Sequence, residues 1–273
     1  MEKNASYPMD SKLYNRSREH LVKLAQKHKI KLRQSYGRIG KRTLRRVSRY
    51  RHARQMNRAQ REEKKLKTYL QRIVRELYRK LQDEELKTVF KEELEKAERL
   101  LAQQKNSKNK LYSIHEPEVE CVCKGKSQKK YEFGCKAALV VTHKEGLVLS
   151  ASAEHGVPYD GHTLSDALEK AERVSGVKIE KAFVDKGYKG HGVTDKQIII
   201  SGQKKGMTKH LKKQLKRRQA IEPHIGHMKS EGKLNRNYLA GKIGDQLNAI
   251  LVGIGHNLRM LFRMFREPDR LLA

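Results

Sequence analysis

The chain has no tryptophan, only five prolines and only three cysteines in 273 residues. Cys121, Cys123 and Cys135 are too few, and odd in number, to form a disulfide framework. Cys121 and Cys123 flank Val122 in a strand-like stretch, so their thiols should face the same way. No further ligand pair at zinc spacing accompanies them, which leaves reduced, partly buried thiols as the reading. No apolar run approaches the ~20 residues that a spanning helix needs, and the first residues carry no secretory pattern. The expectation is a cytoplasmic protein with no membrane partner. Acidic residues are also scarce: 31 Asp+Glu stand against 62 Lys+Arg, giving a formal net charge of +31. Such an excess favours a polyanion, and counterion release from DNA would supply much of the affinity.

The positive charge is concentrated. Residues 12–80 hold 25 Lys+Arg against 4 Asp+Glu, which is +21 of the total. Leu66, Tyr69, Leu70, Ile73, Val74, Leu77, Tyr78 and Leu81 recur at helical spacing and mark one apolar face. Ser11 is a fair N-cap for an earlier helix reaching about residue 29, and Gly37 and Gly40 are expected to break the chain before the long helix. Arg42, Arg45, Arg46, Arg49, Arg51, Arg54 and Arg58 crowd that helix without the mixed signs of a merely solvated face, so they are read as phosphate contacts. A second helical stretch at 83–104 is acidic in places.

Near Glu116-Pro117 the pattern changes to strands. Residues 119–124, 131–142 and 146–154 read as a three-stranded antiparallel meander, with Lys124-Gly125-Lys126 and residues 143–146 as turns. A helix at 163–174, strands at 179–184 and 197–201, a polar helix at 208–232 and an apolar-striped helix at 243–265 follow. The sum is an α/β layer architecture preceded by a helical block.

Two carboxylates carry the chemistry. Asp185 closes the apolar stretch Lys181-Ala182-Phe183-Val184 and opens a turn; it reads either as a turn residue or as a ligand at a strand end. Glu222 lies on the polar helix, on one face with Arg218 and Lys229 if that helix is unbroken. Pro223 directly follows it, so the helix either kinks there or restarts with Pro223 in its first turn. Carboxylates placed this way can share divalent metal ions that activate water for phosphodiester cleavage. Lys204, Lys205, Lys209, Lys212, Lys213, Lys216 and Arg217 form a basic ridge beside them. The groups His155/Asp160/His162 and His224/His227 are weaker metal candidates, read first as a turn and as a basic helix face.

Together these residues resemble the DDE transposases of bacterial insertion sequences, in the IS-five/IS-four-like group. The matching stretches are Phe183-Val184-Asp185-Lys186-Gly187-Tyr188, and Arg218, Glu222 and Lys229 at their spacing. Others are Lys124-Gly125-Lys126, Tyr131 to Lys136, Tyr159 to Leu164 and Gly244 to Ala249. Related groups place a tyrosine three positions before the arginine; here that position is Leu215. The resemblance implies an RNase H-like catalytic core, a mixed sheet flanked by helices, at 111–273. It implies a basic, DNA-binding helical insertion lobe at 12–110 and a short remnant at 1–11. It further implies two Mg²⁺ (or Mn²⁺) ions held between three carboxylates, Asp185 and Glu222 among them, with Arg218 and Lys229 on nearby phosphates. The partners would be double-stranded DNA (transposon ends and target), reached by a homodimer associated with the nucleoid. Arg42, Arg45, Arg46, Arg49, Arg54, Lys212, Lys213, Lys216 and Arg217 would contact that DNA.

The first catalytic Asp of this group precedes a Gln-Glu-Lys stretch, and Met1 stands in place of that Gln. Asp10 falls at the start of the helical lobe, where it reads as a capping residue. The expectation is therefore a truncated transposase, inactive alone. The alternative is a non-catalytic DNA-binding remnant that occupies transposon ends.

Overall fold

The computed structural model describes the chain except for residues 105, 109, 124–129, 204 and 267–273. The Lys124-Gly125-Lys126 turn and Lys204 fall outside the described residues. A two-residue strand, β1 (Glu2–Lys3), leads into four helices: α1 (Asp10–Lys27), α2 (Gly37–His52), α3 (Met56–Lys80) and α4 (Glu84–Ala102). Strands β2 (Glu120–Cys123), β3 (Tyr131–Gly134), β4 (Lys136–Val141) and β5 (Val148–Glu154) follow. Then come α5 (Leu164–Ser175), β6 (Lys181–Val184), β7 (Gln197–Ile200), α6 (Lys209–Arg217) and α7 (Ile221–Ser230). The last elements are β8 (Arg236–Asn237) and α8 (Gly241–Arg266). The result is a mixed α/β protein in two compact units, a helical one at 5–119 and a sheet-containing one at 1–4 and 120–273.

In the helical unit the stripe read from sequence is the core. Leu66, Leu70, Ile73 and Leu77 of α3 are fully buried with Leu21 and Phe90, while Tyr78 at the stripe's edge stays half exposed. α1 starts one residue before the expected cap: Ser11 is buried inside its first turn, and neither it nor Asp10 caps the helix. Gly40 does not break the chain but lies within α2. A Cβ there would stand 2.9 Å from Asn15 Oδ1 and 3.1 Å from Arg18 Nε. The buried Arg18 guanidinium fills that space, donating to Ser35 O at 2.9 Å and Asn15 Oδ1 at 3.0 Å. Gly37 does open α2 after the non-helical residues 28–36, and a second break at 53–55, where Arg54 adopts φ +57°, divides the expected long helix into α2 and α3.

The expected meander is not one sheet. The long strand splits at Cys135: β3 joins the order β2-β3-β1-β8, and β4 pairs antiparallel with β5. β1 runs beside β3, with Glu2 opposite Gly134, and the Cys135 N–H turns to Met1 O. Any Cβ on Gly134 would collide with the β1 backbone, so glycine permits this close approach. A third ladder, β6-β7, is parallel, with Phe183 opposite Ile199. Among the described residues β4 pairs only with β5, and β6 only with β7.

α8 covers β5 through side chains that imitate a neighbouring strand. Asn257 accepts from Val148 N at 2.7 Å and donates to Val148 O at 2.8 Å. Gln246, eleven residues earlier and so on the same helix face, accepts from Ala153 N at 3.0 Å and donates to Ala151 O at 3.2 Å. These bonds occupy edge groups that β5 would otherwise leave bare. Gly253 lies between them, where a Cβ would stand 3.1 Å from Val148 Cγ1. The apolar stripe Leu247, Ile250, Leu251, Ile254, Leu258, Leu261 and Phe265 is exposed instead.

Candidate active site

Asp185 sits just beyond the C-terminal end of β6, the usual place for ligand contacts in parallel α/β arrangements. Its Oδ1 accepts from Lys186 N at 2.7 Å and so caps the short 3-10 turn Lys186–Tyr188. Among the described residues no hydrogen bond engages its Oδ2, and the side chain is 64% exposed. The turn reading and the ligand reading are thus compatible, because they use different oxygens.

The polar helix breaks where proline suggested. α6 ends at Arg217, residues Arg218–Ala220 form a 3-10 turn, and α7 restarts at Ile221 with Pro223 in its first turn. First-turn N–H groups have no intrahelical acceptor, so a residue lacking one fits there. Arg218, mostly buried at this joint, reaches back to place Nη2 3.7 Å from Asp185 Oδ1. Glu222 follows one turn later, ~6 Å along the axis. It is exposed and makes no hydrogen bond or ion pair among the described residues. Lys229, also exposed, stands two turns (~10 Å) beyond Glu222.

The joint is fixed by a residue the sequence marked only as part of a turn. His143 Nε2 meets Gln214 O at 2.9 Å, and its ring packs on Phe183 of β6 at 4.7 Å. Arg217 donates to His143 O at 3.2 Å and to Lys144 O at 2.8 Å. These contacts tie α6 to the β4–β5 turn and to β6, and so aim Arg218 at Asp185. They also occupy the Arg217 guanidinium, whereas Lys212, Lys213 and Lys216 stay exposed. Lys212 and Lys216 line an open cleft of about 270 Å³ with Gly202, Met207, Leu215 and Arg218.

Three of the resembling stretches meet beside Asp185. Lys136 Nζ pairs with Asp160 Oδ1 at 2.9 Å and donates to Pro158 O at 2.6 Å. A Cβ on Gly187 would stand 2.9 Å from Asp160 Oδ2, so that glycine admits the close approach. Tyr188 is enclosed here. Burial pushes its phenol pKa up, and the carboxylates of Asp160, Asp185 and Glu154 push the same way. Tyr188 belongs to the stretch that carries Asp185, whereas nothing in the sequence marked Glu154 as a neighbour of the site.

Other candidates separate. His155 turns away from Asp160 toward Cys135 and Asp245, and His162 packs edge-on against Tyr159 at 5.4 Å. His227 Nδ1 lies 2.7 Å from Glu231 Oε1, while His224 packs against His256, so the two do not form a chelating pair. In the helical unit Arg42, Arg45, Arg49 and Arg54 are exposed; Arg46 is exposed with Glu62 at 3.8 Å. Arg51 is held by both oxygens of Glu63.

Asp185 and Glu222 offer exposed, largely unengaged carboxylates, which suit divalent ions. However, neither belongs to a group of three ligating side chains within mutual reach among the described residues.

Residues 115–258, just over half of the chain, match the family model described as a transposase DDE domain. The uncharacterized protein ORF8 in the nfe locus of Rhizobium meliloti is 51% identical over 53 residues, 19% of this chain. The chain spans 26% of that relative's length. No solved structure matches. No helix among the described residues is long and apolar enough to cross a membrane.

Proposed function

The chain belongs to the transposase DDE domain family, and from that premise we propose that it presents part of a metal-dependent site for DNA cleavage and strand transfer at transposon ends. The observation that carries this reading is the Arg218–Asp185 contact at 3.7 Å, which links the β6 end to the helix bearing Glu222. Asp185 and Glu222 are the metal ligands of the proposal, with Mg²⁺ or Mn²⁺ as the ions. Arg218 and Lys229 steady phosphate oxygens, where fixed cations suit developing negative charge. Lys212, Lys213 and Lys216 in this unit, and Arg42, Arg45, Arg46, Arg49 and Arg54 in the helical insertion, hold the DNA backbone. Arg217 contributes less than expected, because two carbonyls already occupy it. Two ends must be brought together, so the working form is a homodimer, associated with the nucleoid through DNA.

The core is read as RNase H-like. In that arrangement one strand lies between the β5-β4 ladder and the β6-β7 ladder and carries the first carboxylate. The reading is supported by two such two-stranded ladders, with no described strand pairing to both β4 and β6. Because the proposal names two carboxylates, Asp185 and Glu222, no metal-dependent step is assigned to these residues alone. The specific second reading is therefore DNA binding without cleavage, in which the protein occupies transposon ends.

The test is a labelled transposon-end duplex incubated with the purified protein and Mg²⁺ or Mn²⁺. The expected result is salt-sensitive binding with no cleavage. Cleavage that disappears in Asp185→Asn would overturn the two-carboxylate reading and keep the transposase reading. Binding that ignores salt concentration would remove the DNA backbone as the ligand.

A further inference from the structure

A second group of ligating side chains includes neither Asp185 nor Glu222. Cys135 comes from the junction of β3 and β4, His155 from the end of β5, and Asp245 from the first turns of α8. One ligand atom from each lies within 4.8 Å of the others. Cys135 and Asp245 are 2% and 3% exposed. Both His155 ring nitrogens are shut off from solvent, yet neither makes a hydrogen bond among the described residues. Buried polar atoms of that kind call for a partner.

The geometry points to a metal ion as the partner. His155 Nε2 stands 3.5 Å from Asp245 Oδ2, beyond a good hydrogen bond. Zinc–nitrogen and zinc–oxygen bonds of ~2.0–2.2 Å make a tetrahedron edge of roughly 3.4 Å, so these two atoms are already spaced as ligands. The surrounding contacts orient them. Asp245 Oδ1 is taken by Lys3 Nζ at 3.0 Å and Asn237 Nδ2 at 2.6 Å, which leaves Oδ2 facing the imidazole. On the far side of the ring, Nδ1 lies 4.0 Å from Glu120 Oε1. The backbone N–H groups of Gly156 and Val157 hold the Glu120 carboxylate in place. That gap is longer than a hydrogen bond, so Glu120 acts on the ring as a nearby negative charge.

We propose that Cys135, His155 and Asp245 bind a zinc-class divalent ion through one sulfur, one nitrogen and one oxygen, with a fourth position left for water. The mixed donor set selects a borderline-soft ion over Mg²⁺, which prefers oxygen alone. The Cys135 thiol carries its proton before loading, as an ordinary thiol does near neutral pH. Binding forms the metal–sulfur bond and releases that proton to solvent. The resulting thiolate, Asp245 and Glu120 set three negative charges against Lys3 and the Met1 ammonium, which donates to Cys135 O at 2.9 Å, leaving one net negative charge to face the ion. The site pins the β3–β4 junction, the end of β5 and the start of α8 together, and it requires no part of the DNA-cleaving reading.

The test uses the full chain, reduced and stripped with chelator, then titrated with Co²⁺. The expected result is a near-ultraviolet thiolate-to-cobalt band and strong tetrahedral visible bands that saturate at one ion per chain and are displaced by Zn²⁺. Millimolar Mg²⁺ should leave them unchanged. The Cys121→Ser/Cys123→Ser protein should keep the bands, so a positive result does not depend on the folding of a Cys135 variant. Cys135→Ser should lose the thiolate band, and His155→Gln should weaken Co²⁺ binding at least tenfold. Absence of bands in the parent would overturn the proposal. So would bands that vanish with Cys121→Ser/Cys123→Ser and persist with Cys135→Ser.

Discussion

Lys3 and Asp245 form a buried ion pair whose two halves should fail separately and tolerate joint replacement. Their side chains are 3% and 4% exposed, with Nζ 3.0 Å from Oδ1. At that distance and an effective dielectric of ~20, the attraction is about 5–6 kcal/mol. Desolvation costs several kcal/mol per ion, so the pair nearly cancels against a well-packed apolar substitute. Removing one partner leaves the other charge buried without that compensation. Asp245→Leu and Lys3→Met are each expected to destabilise the sheet-containing unit by ~3–5 kcal/mol. The double variant removes both charges. It leaves Asn237 Nδ2 without its 2.6 Å acceptor but with Leu239 O at 3.3 Å, and is expected within ~2 kcal/mol of the parent. The coupling should therefore be at least ~3 kcal/mol. The assay is urea unfolding with chelator present, followed by far-ultraviolet circular dichroism. The transition of the helical unit serves as an internal reference that should not move. Additive single effects, or an Asp245→Leu cost below ~1 kcal/mol, would refute the reasoning.

Asn257→Leu strips a donor and an acceptor from Val148 and is expected to cost ~2–4 kcal/mol in the sheet-containing unit, measured by the same unfolding assay. Asp83→Ala removes the side chain that accepts from Glu85 N at the start of α4 and should cost ~1 kcal/mol, seen as a lower helical-unit melting temperature. Burial, helped by His256, His227 and Arg263, lowers the His224 pKa below its ordinary 6.5. The unfolded chain then binds more protons between the folded pKa and 6.5, so stability falls as pH drops through that window. His224→Gln should reduce this acid loss, read from melting temperatures at pH 7.5 and below 6.5. Arg42→Gln, Arg45→Gln and Arg49→Gln together should weaken DNA binding evenly across sequences and reduce the slope of log affinity against log salt by about 2–3.

Much of the secondary structure was legible because it depends on local pattern. The α3 stripe announced the helical core, and Pro223 announced a break that became the Arg218–Ala220 turn. Asp185 was legible as the end of a strand, since an apolar run met Lys186-Gly187-Tyr188. The split at Cys135 was not legible, because it depends on β1, over a hundred residues away, running beside Gly134. α8 misled by its stripe. Its inward face carries Ala249 and Gly253, and at Gly253 close approach to Val148 and Ala151 of β5 favours a small side chain, while amides satisfy the strand edge. His143 was missed because a turn histidine carries no spacing signal until α6 packs against it.

The sequence by itself determined the α/β class, the concentration of positive charge and the two carboxylates of the proposed site, because composition and short motifs are local properties of the chain. Tertiary structure alone decided that Arg218 meets Asp185 and that Lys136 meets Asp160. It also decided that Cys135, His155 and Asp245 converge across 110 residues of chain. Those meetings depend on which strands pair and which helix faces are small enough to approach, and no spacing along the chain records them.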